Sequence, residues 1–164
     1  MSKSHPFRPA LAALALVAVL AAVTPGRVLA AGDALAPPDD HRLALLIYQA
    51  IAALDQANAT GNYTVLRDLA APGFRDRNTA AELGLAFAKY RELRFALAPV
   101  LLYEPRLTHP VVVTDGLIRL RGYFPTRPVR VNFDLTFAHF DDDWRLHGLA
   151  IAPSEARAQG RAGP

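Results

Sequence analysis

Val129-Arg130-Val131-Asn132-Phe133-Asp134-Leu135-Thr136-Phe137 alternates apolar and polar residues without a break. Side chains of a strand point in turn to opposite faces. Val129, Val131, Phe133, Leu135 and Phe137 therefore share one face, and Arg130, Asn132, Asp134 and Thr136 the other. One buried and one wet face mark an antiparallel sheet covered on a single side. The stretch predicts a sheet that needs helices on only one of its faces.

Turn signals bracket this strand: Pro125-Thr126-Arg127-Pro128 before it and Asp141-Asp142-Asp143 after it. The last strand is expected at Trp144 to Ile151. Trp144 and Leu146 share a face there, whereas Leu149 and Ile151 fall in the opposite phase, so Gly148 is expected to mark a bulge that curves the sheet. Upstream, β-branched Val111-Val112-Val113, the Asp115-Gly116 turn and Leu117 to Phe124 read as a hairpin. Phe95 to Tyr103 is apolar but broken by Pro99, which suggests an edge strand or a bend. From Pro153 the chain is rich in Ala, Gly and Arg and is expected to be a disordered tail, residues 153–164.

Helical spacing occupies the region before the strands. Leu43, Leu46, Ile47, Ala50, Leu54 and Ala57 form one stripe behind Asp39-Asp40, so a first helix is expected over about residues 40–58. Gly61 should end it. Asn62 should cap a short second helix through Ala70, with Val65, Leu66 and Leu69 inward and Pro72-Gly73 as its stop. Thr79-Ala80-Ala81-Glu82 is a capping box opening a third helix, on which Leu83, Phe87 and Tyr90 share a face. Helices followed by antiparallel strands predict an α+β domain with N-terminal helices packed on a curved antiparallel sheet.

The chain has 164 residues, 52% hydrophobic and 20% charged, enough for one domain with a real core. It has no cysteine, which excludes disulfides, thiol nucleophiles and thiolate metal sites. The formal charge of +3 resides in Lys3, Arg8 and Arg27. From Ala31 onward 15 basic residues face 15 acidic ones, a neutral balance that argues against nucleic acid as a partner. The three cations belong to a segment that reads as a signal peptide over residues 1–30. Lys3 and Arg8 precede the apolar run Leu11 to Val23, then come Pro25-Gly26 and small residues at Ala30 and Ala31. The 13-residue run falls short of the roughly 20 needed to span a bilayer, so cleavage, no remaining membrane span and a periplasmic or secreted destination are expected. Residues 31–40 read as a leader and 41–152 as the domain. Asn58-Ala59-Thr60 and Asn62-Tyr63-Thr64 match glycosylation sequons but read as helix-end chemistry.

The element order, the run from Ala57 through Tyr63 into Leu66 and Leu69-Ala70-Ala71-Pro72-Gly73-Phe74, and the ending from Trp144 to Ile151 resemble the NTF2-like (cystatin-like cone) superfamily over about residues 41–152. The resemblance implies a cone-shaped cavity between sheet and helices, in which enzymatic members keep acidic, histidine or tyrosine groups. Fold likeness alone does not fix activity. His139 continues the inward series of Val131 to Phe137, and Tyr48 and Tyr90 are the tyrosines best placed to reach such a pocket. Isomerising members set a first-helix tyrosine beside a buried carboxylate; here Asp134 alternates onto the wet face. The expectation is an exported, non-catalytic domain that binds a small apolar ligand or a protein partner. The alternative is a small lyase or isomerase using His139 with Tyr48 or Tyr90.

The wet face carries Arg119, Arg121, Tyr123, Arg130 and Arg145, a row with the arginine and aromatic content of an interface. A weak, salt-sensitive homodimer or an acidic protein partner is expected there. No cofactor is implied. The four histidines beyond His5 lack metal-ligand spacing, so no metal site is expected, and after residue 30 the only serine is Ser154, which leaves no serine nucleophile.

Overall fold

The computed structural model describes residues 35–155. Within them α1 (Asp40–Thr60) carries the predicted stripe: Leu43, Leu46, Ile47, Ala50, Ile51, Leu54 and Ala57 are all buried. Asp39 caps it by accepting the Arg42 N–H at 2.7 Å. Gly61, at φ 71°, closes it by turning left-handed and donating its N–H to the Ala57 carbonyl. The sequons are engaged as helix-end chemistry: Thr60 Oγ1 donates to the Gln56 carbonyl, and Asn62 Oδ1 accepts from the Thr64 N–H.

The short helices depart from expectation. In α2 (Thr64–Asp68) Leu66 is buried, but Val65 and Leu69, expected inward, are 58% and 64% exposed. A helix this short touches α1 along one line only. Pro72-Gly73 does not stop a helix but starts one: α3 (Pro72–Arg77) has the proline in its first turn, where a missing N–H costs nothing. The Thr79–Glu82 capping box is formed in both directions. The helix behind it breaks at Phe87 into α4 (Ala80–Ala86) and α5 (Ala88–Glu92), with Leu83 and Phe87 buried. Of the edge strand or bend expected near Pro99, the structure has a bend, a 3-10 turn over Ala98–Leu102. Asp55 on α1 explains it, because its Oδ1 accepts the N–H groups of Leu97 at 2.8 Å and Ala98 at 3.2 Å. Donors that a strand would have offered to a neighbour are satisfied by one carboxylate.

Five antiparallel strands follow: β1 (Arg106–Leu107), β2 (Val113–Thr114), β3 (Leu117–Phe124), β4 (Val129–Phe140) and β5 (Asp143–Glu155). The order is β1-β3-β4-β5, with β2 also paired to β3, and the sheet is curved and unclosed. The β2–β3 turn has Asp115 and Gly116 at positive φ, as a two-residue hairpin requires. Asp141 and Asp142, both also at positive φ, make the same turn between β4 and β5. The bulge is present: Thr136 pairs with Gly148 but Phe137 with Leu146, so the extra residue is His147. That one-residue slip brings Trp144 and Leu146 to the same face as Leu149 and Ile151. Pro153, Ser154 and Glu155 are not tail but the end of β5, paired with Val131, Arg130 and Val129. Asn132 Nδ2 secures them by donating to the Ala152 carbonyl and Ser154 Oγ at 3.0 and 2.8 Å. The signal-peptide reading of residues 1–30 and the tail beyond 155 lie outside the described residues.

Ile118, Leu120, Phe124, Val131, Phe133, Leu135, Phe137, Leu146 and Ile151 bury the inner face of the sheet against α1 and the short helices. The α+β architecture and its single covered face follow from the alternation of β4. Among the described residues no helix is long and apolar enough to cross a membrane.

Candidate binding surfaces

Tyr48, Tyr90 and His139 do not converge. The Tyr48 hydroxyl donates to the Tyr103 carbonyl at 2.9 Å, tying α1 to the chain after the 3-10 turn. Burial, with Glu104 nearby, pushes its pKa above the ordinary tyrosine value, so it remains a protonated donor. Tyr90 donates to the Ile151 carbonyl. His139 packs against the Trp144 ring edge-on, with centroids 5.2 Å apart, and its ring makes no hydrogen bond with a described residue. No general acid and base are thereby set face to face. Among the described residues no three His, Asp or Glu side chains gather as a metal site.

A concavity does exist between helices and sheet, but Tyr48, Tyr90 and His139 do not line it. A groove of about 660 Å³ runs between α1, α2 and the start of β5. Buried Leu46, Ala50, Leu66, Phe137 and Leu146 form its floor, and Ala53, Val65, Leu69 and Trp144 its walls. The charged groups of its lining, Asp68, Asp143 and Arg145, are paired with Arg67, Arg42 and Asp141 just outside it. Arg42 on α1 binds Asp143, whose Oδ1 also accepts the Trp144 N–H at 2.8 Å. Arg145 lies 3.7 Å from Asp141 and 5.2 Å from the Phe140 ring. Val65 on α2 and Leu69 at its C-cap, which fail to reach the core, thus add an apolar wall to the groove. Helical phase alone could not separate them from Leu66.

The outer sheet face holds the expected arginine row in part. Arg119, Arg121 and Tyr123 on β3 stand across from Thr136, Asp134 and Asn132 on β4. Arg119 grips Asp134 with two hydrogen bonds, Nε to Oδ1 at 2.8 Å and Nη2 to Oδ2 at 2.6 Å. This grip holds the Asp134 carboxyl below its usual range, with weaker help from Arg121 and His109. Arg130 lies over the Tyr123 ring at 4.6 Å. Arg145 belongs instead to the far end of the face, beside Phe140. Arg106 on β1 pairs in register with Tyr123 and joins the row. It was missed because β1 is two residues long and carries no periodic signal.

His147, the bulge residue, fastens β5 to α3. Its Nε2 faces Arg77 Nη2 at 3.1 Å, its carbonyl accepts from the same guanidinium, and its ring covers Gly73.

No family model, curated protein or solved structure matches the chain.

Proposed function

We propose that the chain is an exported, non-catalytic, NTF2-like binding domain whose groove beside α2 takes a small apolar ligand. The observation that carries this reading is the pair Val65 and Leu69, held open to solvent on the wall of a groove whose floor is the hydrophobic core itself. Exposed apolar side chains at a concavity mark a place where burial remains to be gained. The rim charges support it, because Arg42, Asp143, Arg145 and Asp141 compensate one another and leave the interior without an unpaired charge to reject a greasy ligand. Tyr48 and Tyr90 spend their hydroxyls on backbone carbonyls, which speaks against the proton-transfer alternative.

A thermal-shift panel of small apolar compounds on the full chain tests the reading. Ligand binding to the native state alone stabilises by about 2.7 kcal/mol at a hundredfold excess over Kd, which raises Tm by several degrees. Leu69→Asp replaces an exposed residue, so the fold tolerates it, but it places a charge on the groove wall. The expected result is compounds that stabilise the native chain and not the Leu69→Asp variant. A panel that shifts neither, or shifts both alike, rejects the groove as the ligand site.

A further inference from the structure

We infer that the open outer face of the sheet, around Tyr123, docks an extended acidic protein segment. Strand register puts Arg106, Tyr123 and Asn132 in one row and Arg121 and Asp134 in the next, with Arg119 and Arg130 on the same side. Four guanidinium groups thus meet one carboxylate. That carboxylate, Asp134, has both oxygens engaged by Arg119. Arg130 stacks on Tyr123, and its buried Nε has no described hydrogen-bond partner. The side chains of Arg106 and Arg121 make no hydrogen bond or ion pair with any described residue, and Arg106 is exposed.

The chemistry of the partner follows from what the face already does. The two-pronged Arg119–Asp134 pair is carboxylate recognition by a planar fork, performed on this surface by the chain itself. Arg119, Arg121 and Tyr123 are spaced two residues apart, roughly 6.7 Å per step along a strand. An extended segment with an acid at every second residue offers carboxylates at that same interval. A second copy of this chain does not, since it brings four more guanidinium groups and a carboxylate already bound. Nucleic acid fits less well, because the chain from Ala31 onward is formally neutral and lacks a phosphate-steering field. This inference stands apart from the groove, which opens on the helical side.

The test uses the full chain and a fluorescein-labelled octapeptide of alternating Glu and Thr, followed by fluorescence anisotropy. Saturable binding is expected at low salt and should be lost at about 0.5 M salt, where charges are screened within a few ångströms. Arg106→Glu combined with Arg121→Glu should weaken it at least tenfold. Lys89→Glu with Arg94→Glu, an equal change of charge on the helical side, should not. Arg106→Gln with Arg121→Gln gives the answer if the reversed pair does not fold, as judged by near-ultraviolet circular dichroism of Trp144. Absence of peptide binding, or equal loss in the helical control, overturns the inference. So does tighter binding of a pentathymidylate through the same arginines, which makes the partner a nucleic acid. A wild-type dimer in sedimentation that the sheet variants dissociate makes it a second copy.

Discussion

Asp134 is the acid beside Arg119 and Arg121 on the outer face, and Arg119 holds it ionised. Its pKa is lower folded than unfolded, so its contribution is fully present above the ordinary carboxylate range and disappears as pH falls through the depressed folded value. Asp134→Asn should therefore unfold at slightly lower urea than wild type at pH 7, with the difference closing as pH falls below the ordinary carboxylate range. The effect is small because the Arg119 side chain is 59% exposed and water screens the pair. Gly122 is the opposite kind of residue, decided by space. A Cβ there would sit 2.2 Å from the Arg106 carbonyl oxygen and 2.7 Å from Phe133 Cζ. Gly122→Ala should cost at least about 2 kcal/mol in a urea melt, since neither strand can retreat without breaking the ladder. Gly148→Ala, with its nearest neighbours in Thr136 at 3.4 Å, should cost much less. The orientation of Asp134 was legible from the alternation around it. The crowding at Gly122 was not, because it depends on β1, and Arg106-Leu107 alone gives no sign of pairing.

At the scale of elements, β5 shows how a long edge strand is kept from recruiting another chain. Its outward carbonyls are taken by the helices: Leu146 accepts from the Ala71 N–H at 2.8 Å, His147 from Arg77, and Ile151 from Tyr90. Pro153 removes a further donor from the strand. Tyr90→Phe should lower stability by about 1 kcal/mol in urea denaturation, the cost of leaving the Ile151 carbonyl without its partner. The strands with long alternating patterns were readable from sequence, and so was the bulge, because Trp144 and Leu149 could share a face only if one residue were extra. The elements misread or left open were short. Helix α2 and the 3-10 turn are set by tertiary partners, Leu66 against α1 and the Asp55 carboxylate respectively. Local periodicity cannot report a cap supplied from 42 residues away.

Residues 35–155 form a one-sided sheet with two exposed surfaces of different chemistry, an apolar groove on the helical side and a cationic face on the other. The sequence placed the candidate pocket between sheet and helices, with Tyr48, Tyr90 and His139 as its candidate residues. In the structure the two tyrosines secure the framework, His139 packs on Trp144, and the groove between helices and sheet is walled instead by Val65 and Leu69. The arginine face was legible because strand alternation sorts its residues directly. Export belongs to the proposal as well. Bacterial expression should yield a periplasmic product shortened by about 30 residues, checked by mass spectrometry, whereas an intact N-terminus in the membrane fraction would refute cleavage. The groove itself contains the only tryptophan of the chain, Trp144, on its wall. The most direct measurement is energy transfer from Trp144 to bound 8-anilinonaphthalene-1-sulfonate, an apolar dye, in native protein and in Leu69→Asp. The expected result is saturable quenching of Trp144 with sensitised dye emission, lost in the variant while its circular dichroism stays native. Undiminished transfer in Leu69→Asp, or no transfer in the native chain, would contradict a ligand-binding groove beside α2.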